Sequence, residues 1–389
     1  MFIIYPLLSI PGIMIEIARN KKYAYILLAI FMGYIGMLYT PAGDFYRYVL
    51  DFTSYKTESY DSIKSIIMSG NDFIQPMLFW IIAKLGMSSD ATRFVYNLLG
   101  YLLLFSMVRK YTEKAPTNNS RFNLFIIVIM MVSFRLFLSR YGLSTILFVY
   151  GVFNIFEGKN KGWIYLVISF LHHFAFAVLF IVFVIFWIFR YKGNKYFTLI
   201  LLISSFIFTS DILSPILESL AGSVPIVNHI LYYVDGYYAN EYLEDHSVRF
   251  RIMTMLSSFG YYSLLLFFYF SFRKSEYSGF IDTLLLLIVI VSPFQGICGR
   301  FILVAQIFLL LYFVRYISQN GYPGRHVKNY FIITSLLLLF INIWGARREL
   351  YLSNENRILL PSVFIWNAEF SNEWIDMNIS SDGAPKVNF

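Results

Sequence analysis

Long apolar segments recur along this sequence, and most of its charged residues lie in the connections between them. A helix needs about 20 residues to cross the hydrocarbon core of a bilayer, so apolar runs near this length predict membrane spans. A soluble chain of 389 residues could not bury a composition that is 58% hydrophobic and only 14% charged. The apolar segments cover residues 2–18, 23–39, 92–108, 122–138, 140–156, 162–189, 196–211, 251–272, 279–296, 299–316 and 329–345. The sequence therefore predicts an all-α, polytopic membrane protein with roughly 11–13 transmembrane helices.

The charges in the connections indicate which side of the membrane each connection faces. Cytoplasmic connections are enriched in Lys and Arg, and short basic connections occur at 19–22 and 190–195, among others. Two longer connections, 40–72 and 211–249, contain more acidic than basic residues. We expect these two to be loops on the outer side of the membrane.

The sequence predicts a single membrane domain, 1–345, followed by a C-terminal tail, 346–389, on the outer side. The net charge of +8 does not indicate nucleic-acid binding, because the basic residues are dispersed among the membrane connections. The single cysteine, Cys298, excludes a disulfide framework and a cysteine-rich metal site. The sequence also lacks a P-loop, an HExxH motif and a GxSxG motif. We therefore expect no metal, no cofactor and no nucleic-acid partner.

Two apolar segments do not fit a simple count of crossings. The segment 73–87, with Pro76 near its start, would put the next basic connection on the wrong side if it crossed, so we interpret it as a re-entrant or interfacial helix. The segment 162–189 has basic residues on both flanks but is too short for two full spans. We predict a short arm and a longer return arm with a turn near His172–His173. An ordinary short span and one long tilted helix are the respective alternatives.

Arginine residues recur at the outer ends of the predicted spans, where the positive-inside rule predicts few of them. Each one alone is explained by a side chain that reaches for the headgroups. Together they suggest a site for an anionic group, because the planar guanidinium suits phosphate. The arginines considered for such a site are Arg135, Arg140, Arg249 and Arg300.

Three further residues are candidates for acid–base chemistry. His172 and His173 lie side by side at the predicted turn, and a neutral imidazole can take a proton from a hydroxyl group. Asp44 opens the first outer loop, where it could bind a sugar hydroxyl, pair with an arginine or act as a base. A structural histidine and a solvated loop carboxylate are the alternatives.

A cluster of tyrosines, which includes Tyr237 and Tyr238, occupies the second outer loop. Aromatic rings of this kind stack on sugar faces, and they also form the belt at a membrane interface. Both interpretations stay open for this loop.

Four short motifs, taken in order, resemble the bacterial polysaccharide polymerases of the Wzy type, the O-antigen polymerases, in their EpsG-like branch. The motifs frame about residues 40–345, and their order and sidedness carry the resemblance more than any one of them. They are Gly43-Asp44 with Tyr48, Asp72-Phe73-Ile74-Gln75-Pro76, Arg140 followed by His172–His173 in a Leu-His-His-Phe-Ala context, and Gly299-Arg300-Phe301.

The resemblance implies a glycosyltransferase of GT-C-like membrane architecture in the bacterial inner membrane, with its active site facing the periplasm. It implies that a growing glycan on undecaprenyl pyrophosphate is transferred to the terminal sugar hydroxyl of a single repeat unit on the same lipid carrier. The family commonly works with a chain-length regulator, so such a protein is an expected partner.

The resemblance also assigns roles to the candidate residues. An anionic leaving group needs fixed cations, and a hydroxyl nucleophile needs a base. The expected pyrophosphate-binding residues are Arg140 and Arg300, with Arg135 and Arg249 in support. The expected base is His172 or His173, with Asp44 as the second choice, and the expected glycan-binding residues are Tyr48, Tyr237 and Tyr238.

Two other functions fit the same sequence. The first is another polyprenyl-lipid-dependent membrane glycosyltransferase in which Asp44 is catalytic together with a divalent metal. The second is a flippase or transporter of lipid-linked glycans, although the sequence lacks the related halves common among transporters. A membrane acyltransferase or a structural protein is a more distant alternative.

Overall fold

The computed structural model describes residues 1–69, 73–204, 256, 258–292 and 295–387, and these residues form helices and no strand. An isolated antiparallel bridge joins Ile379 and Pro385. Short 3₁₀ helices cover Leu7–Ser9, Leu136–Leu138 and Glu355–Leu359. The α-helices are α1 (Ile10–Ala18), α2 (Lys22–Leu38), α3 (Asp44–Thr57), α4 (Tyr60–Ser69), α5 (Ile74–Lys84), α6 (Asp90–Thr112), α7 (Asn118–Met131), α8 (Arg140–Phe156), α9 (Lys161–His172), α10 (Phe176–Phe189), α11 (Lys195–Ser204), α12 (Phe259–Phe270), α13 (Glu276–Val291), α14 (Gln295–Asn320), α15 (Arg325–Gly345), α16 (Arg347–Tyr351), α17 (Ser362–Trp366) and α18 (Asn372–Asn378).

Three helices in the described part of the chain are long and apolar enough to cross a membrane. They are α6, the Cys298–Asn320 part of α14, and α15. Shorter apolar helices of 10–17 residues include α2, α8 and α10. The predicted all-helical, membrane-embedded class is confirmed, whereas the count of roughly 11–13 spans and the GT-C-like architecture stay predictions.

The two unusual apolar segments are broken or short in the structure. Residues 162–189 contain α9 and α10, and residues 173–175 separate them, which confirms the predicted helix break. The segment 73–87 contains α5, which has 11 residues. At 1.5 Å per residue such a helix is about 16 Å long, roughly half the thickness of the hydrocarbon core. Its re-entrant or interfacial position stays a prediction.

The helices group into two compact units. The first unit holds α1–α9 and the C-terminal tail, and the second holds α10–α13 with most of α14 and α15. The first unit comprises Met1–Ala177, Val314–Gly321 and Asn342–Phe389, and the second comprises Val178–Phe313 and Tyr322–Ile341.

Helices α2 and α6 of the first unit pack closely because glycines of α2 face larger residues of α6. A Cβ atom on Gly33 would lie 2.9 Å from the Phe94 ring, and one on Gly36 would lie 2.6 Å from the Asn97 amide nitrogen. The Asn97 amide also donates to the Met32 carbonyl oxygen at 3.0 Å. Larger side chains at either glycine would push the two helices apart.

The C-terminal tail is folded and packs on the first unit. The Thr40 hydroxyl donates to the Glu349 carbonyl oxygen at 2.7 Å, and the Gly43 N–H donates to the Gly383 carbonyl oxygen at 2.8 Å. Two small apolar cores lie between the tail and helices α2 and α3. They contain Leu38, Ile365 and Ala368 in one case, and Val49, Phe370, Ile375 and Ile379 in the other. The tail therefore contacts the first predicted outer loop directly, while the outer location of both stays a prediction.

In the second unit, a buried carboxylate on α13 holds the start of α11. Asp282 accepts hydrogen bonds from the Asn194 N–H at 2.9 Å, from the Tyr191 hydroxyl at 3.3 Å and from the Thr198 hydroxyl. The acceptor satisfies a backbone donor that helix formation leaves unpaired. Asp282 therefore has a structural explanation.

Candidate active site

Helices α8 and α9 are antiparallel neighbours that bring Arg140 and His172 to the same end of the pair. Arg140 is the first residue of α8, and His172 is the last residue of α9. The close approach depends on glycine, because a Cβ atom on Gly151 would lie 2.8 Å from the Gly162 carbonyl oxygen. As a result, His172 lies within electrostatic range of the Arg140 guanidinium.

The start of α8 is fixed by the residues around it. The Ser139 hydroxyl accepts the Gly142 N–H at 3.2 Å and caps the helix. A Cβ atom on Gly142 would lie only 1.7 Å from the Leu136 carbonyl oxygen, so the preceding turn fits only against glycine. The predicted span 122–138 is accordingly not one helix, because the 3₁₀ turn Leu136–Leu138 interrupts it before α8 begins.

His172 is fixed through one face of its ring. It is buried, with 2% of its surface exposed, and its Nδ1 lies 3.1 Å from the Ser144 hydroxyl oxygen. The Ser169 hydroxyl donates to the Ser144 carbonyl oxygen at 2.9 Å, which steadies this contact. Tyr96 meets the imidazole edge-on, with 5.3 Å between the ring centres. The Nε2 atom has no hydrogen-bond partner among the residues that the structure describes.

His173 has a different environment from its neighbour. Its backbone is extended and ends α9, and its Nδ1 accepts the Ala175 N–H at 3.2 Å. The acceptor role places the proton of a neutral ring on Nε2. The ring also packs edge-on against Tyr141 at 5.3 Å. His173 therefore stabilises the break between α9 and α10.

Arg140 is oriented by residues from two helices that precede it in the chain. Its Nη1 donates to the Oε1 atom of Gln75, a buried residue of α5, at 3.0 Å. Its Cζ lies 5.5 Å from the centre of the Tyr48 ring on α3, at cation–π distance. A guanidinium held in one plane presents its N–H groups in a fixed direction, which suits a phosphate oxygen.

Helix α5 is held against both parts of this cluster. The Phe73 N–H donates to the Leu171 carbonyl oxygen at 3.0 Å, which ties the start of α5 to the end of α9. The Phe79 ring of α5 packs edge-on against Tyr48, with 5.6 Å between the ring centres. Helices α3, α5, α8 and α9 therefore meet around Arg140.

Sequence reasoning missed a buried ion pair at the start of α6. Arg93 Nη2 lies 2.5 Å from Asp90 Oδ1, and Arg93 Nε donates to the Gly36 carbonyl oxygen at 3.0 Å. The second carboxylate oxygen of Asp90 accepts the Phe370 N–H of the tail at 3.0 Å. The signal in the sequence is an Asp and an Arg spaced three apart, one helical turn, where an apolar segment begins.

Two of the predicted pyrophosphate-binding arginines lie in other surroundings. Arg135 forms a salt bridge with Glu349 of the tail at 2.9 Å, and its side chain is substantially exposed. Arg300 lies in the part of α14 that belongs to the second unit. The structure thus joins Arg140 with Tyr48 and His172, and it gives Arg135 a different partner.

The remaining candidates fall outside what the structure describes. Asp44 is the first residue of α3, but its side chain is not among those described. Within the described ranges, no group of three or more His, Cys, Asp or Glu side chains could hold a metal ion. The candidates that lie outside the described residues altogether are Arg249, Tyr237 and Tyr238.

Residues 21–354 match the family model described as the EpsG family. The chain belongs to the EpsG family. The match covers most of this EpsG-family chain, including Tyr48, Gln75, Arg140 and His172. No curated protein and no solved structure matches the sequence. The EpsG-like part of the resemblance is therefore confirmed, and membership of the EpsG family indicates a polymerase-like membrane protein of polysaccharide synthesis.

Proposed function

We propose that this chain polymerises lipid-linked oligosaccharide repeat units on the outer face of the bacterial inner membrane. The donor is a growing glycan on undecaprenyl pyrophosphate, and the acceptor is a single repeat unit on the same lipid carrier, as in O-antigen polymerases of the Wzy type. Membership of the EpsG family supports this function. The observation that carries it is the position of Arg140, oriented by Gln75 and Tyr48 and adjacent to the buried imidazole of His172.

Arg140 binds the leaving group in this proposal. The bond from the donor's anomeric carbon to the pyrophosphate oxygen breaks, and its electron pair leaves with the lipid pyrophosphate. Negative charge therefore grows on that oxygen in the transition state, where a guanidinium already held in place needs little reorganisation to stabilise it. Gln75 and Tyr48 supply this orientation. Arg300 and Arg249 are proposed as further cations for the pyrophosphate, and Arg135 as a more remote support.

His172 is the base in this proposal, in preference to His173. We assign the proton of its neutral ring to Nδ1, where the Ser144 hydroxyl can accept it. Nε2 then takes the proton of the acceptor hydroxyl as the oxygen forms its bond to the anomeric carbon. In His173, by contrast, the basic nitrogen already accepts the Ala175 N–H.

Aromatic residues and Asp44 complete the proposed site. Tyr48 presents a ring next to Arg140, and together with Tyr237 and Tyr238 it is proposed to contact the glycan. Asp44, at the start of α3, is proposed to bind a sugar hydroxyl. Membrane lipid surrounds the spans and delivers both lipid-linked substrates laterally.

The decisive experiment compares Arg140 with an arginine of the same helix bundle that lies near the opposite end of α6. A strain without this protein is complemented with Arg140→Gln, Arg140→Lys or the control Arg109→Lys, and lipid-linked glycans and polymer are analysed. We expect Arg140→Gln to lower polymerisation about 10²–10³-fold at normal protein level, with single units accumulating on the outer face. Arg140→Lys should also be impaired, because the ammonium group lacks the planar fork. Arg109→Lys should polymerise normally.

Other outcomes would point to the alternative functions. Normal polymer with Arg140→Gln would contradict the proposal. Failure to deliver single units to the outer face would indicate a flippase or transporter. In a purified assay, loss of activity in EDTA together with loss in Asp44→Asn would favour a metal-dependent glycosyltransferase with a catalytic aspartate.

A further inference from the structure

The C-terminal tail presents apolar side chains on its outer face, next to the N-terminus. Leu359, Val363 and Phe364 are 63%, 58% and 53% exposed. The Ser362 N–H donates to the Ile4 carbonyl oxygen at 2.9 Å, which holds the two ends of the chain together. The tail patch is defined as the exposed residues Ile3, Ile4, Leu359, Leu360, Val363 and Phe364.

The opposite face of α17 is anchored to the membrane helices. Ile365 is completely buried and packs against Leu38, the last residue of α2. The Trp366 ring meets the Phe94 ring of α6 edge-on, with 5.1 Å between the ring centres. One face of α17 therefore faces the protein, and the tail patch faces away from it.

These contacts fix the depth of α17 relative to two apolar helices. Phe94 lies in the first turns of α6, which is long enough to cross a membrane. At 1.5 Å per residue, Phe94 is about 6 Å from the start of α6. The interfacial layer on each side of the hydrocarbon core is about 5–8 Å thick. The tail patch consequently lies level with this layer.

The backbone of this part of the tail is also largely satisfied within the protein. The Phe364 N–H donates to the Pro361 carbonyl oxygen at 2.9 Å. Arg357 Nη1 donates to the carbonyl oxygens of Phe364 and Asn367 at 3.3 Å and 3.2 Å. A segment in contact with lipid needs this arrangement, because unpaired backbone groups are costly there.

We propose that the tail patch inserts into the boundary between the headgroups and acyl chains of the bilayer. Lipid is the occupant that fits, since Leu8 and Ile15 extend the exposed apolar surface from the patch onto α1, an apolar helix. Exposed aliphatic and aromatic side chains on one face are typical of segments that lie in the interface. The proposal requires only that α2 and α6 are membrane helices, so it does not depend on the proposed enzymatic function.

The test measures the depth of single positions in the full chain reconstituted in vesicles of phosphatidylcholine and phosphatidylglycerol. Cys298, the only cysteine, is replaced by Ala, and nitroxide labels are attached to Phe364→Cys, Val363→Cys and, as the matched control, Glu373→Cys. Glu373 is an exposed polar residue of the same tail. Collisions of each label with oxygen, which concentrates in hydrocarbon, are compared with collisions with a water-soluble nickel complex.

We expect the ratio of oxygen to nickel collisions to be several times higher at positions 363 and 364 than at position 373. Equal ratios at all three positions would show that the patch lies in water and would overturn the proposal. Low collision rates with both reagents at positions 363 and 364 would show a protein contact, with a second copy or another protein, and would also overturn it.

Discussion

The guanidinium of Arg93 lies 2.5 Å from the carboxylate of Asp90, and both side chains are buried. The Arg93 Cζ atom also lies 5.7 Å from the centre of the Phe45 ring and 5.5 Å from that of the Phe370 ring. Asp90 accepts the Phe370 N–H. The pair therefore connects α6 with the start of α3 on one side and with the C-terminal tail on the other.

Removing one partner of this pair should destabilise the protein strongly. We expect Arg93→Met to lower the free energy of unfolding by about 3–5 kcal/mol, because Asp90 would be left as a buried charge without its cation. Thermal unfolding in detergent measures the loss, and limited proteolysis of the tail should become faster. The control is Arg109→Met, whose partner Glu113 is largely exposed, and it should cost at most about 1 kcal/mol. Equal losses in both variants would show that the buried pair has no special role.

The two adjacent histidines should differ in their effect on polymerisation. We expect His172→Ala to lower activity about 10²–10⁴-fold at normal protein level, because the proposed base is lost. His173→Asn should keep most of the activity, since an amide oxygen can still accept the Ala175 N–H. Both variants are compared by polymer yield per amount of protein in membranes. The reverse ranking would transfer the role of the base to His173.

Gly142 should tolerate no side chain. An added methyl group would overlap the Leu136 carbonyl oxygen, from which a Cβ atom would lie 1.7 Å away. We therefore expect Gly142→Ala to reduce the folded protein recovered from membranes and to lower its thermal midpoint. The control is Gly12→Ala in α1, where no atom lies within 4 Å of the added Cβ. This variant should be neutral or more stable by up to about 1 kcal/mol, because Ala favours helix over Gly. A stable Gly142→Ala protein would contradict the packing of α8 against the preceding turn.

Glu157, in the connection after α8, should make stability depend on pH. It accepts hydrogen bonds from Lys110, from Lys159 at 3.0 Å and from Arg315 at 3.4 Å. Burial acts to raise the pKa of Glu157, but the hydrogen bonds from Lys110 and Lys159 outweigh it and hold the pKa below its ordinary value. The stabilisation is therefore present above the unfolded pKa of about 4.3 and is lost as pH falls through the lowered folded value.

The measurement for Glu157 is the thermal midpoint of the parent protein and of Glu157→Gln in detergent, from about pH 6 down to about pH 3. The parent should be more stable near pH 6, and the difference should shrink as the pH falls. Glu113→Gln is the control, because its carboxylate is more exposed and has a single cationic partner. A difference that stays constant with pH would rule out this linkage.

The features predicted correctly from the sequence depend on local patterns. Apolar length gives the helical membrane class. The break near His172–His173 follows from basic flanks around a segment too short for two spans. Arg140 and His172 can be paired because the connection between α8 and α9 is short, which makes the two helices antiparallel neighbours.

The features that were missed depend on tertiary contacts between distant residues. Gln75 lies 65 positions from Arg140, and an amide gives no charge signal in the sequence. Arg135 resembles Arg140 in type and location, but its partner is Glu349 in the tail, which sidedness alone does not indicate. Arg93 seems ordinary among charges at the edge of a span, because its burial depends on Phe45 and Phe370 from other segments.

The backbone hydrogen bond between Gly43 and Gly383 has a consequence for the biosynthesis of this protein. A Cβ atom on Gly383 would also lie 2.9 Å from the Gly43 carbonyl oxygen, so the two backbones touch. Gly43 precedes α3, whereas Gly383 is among the last residues to leave the ribosome. The start of α3 therefore reaches its final arrangement only after nearly the whole chain has been translated. Chains that terminate early would be inserted in the membrane without this contact, and a quality-control protease could recognise them by it.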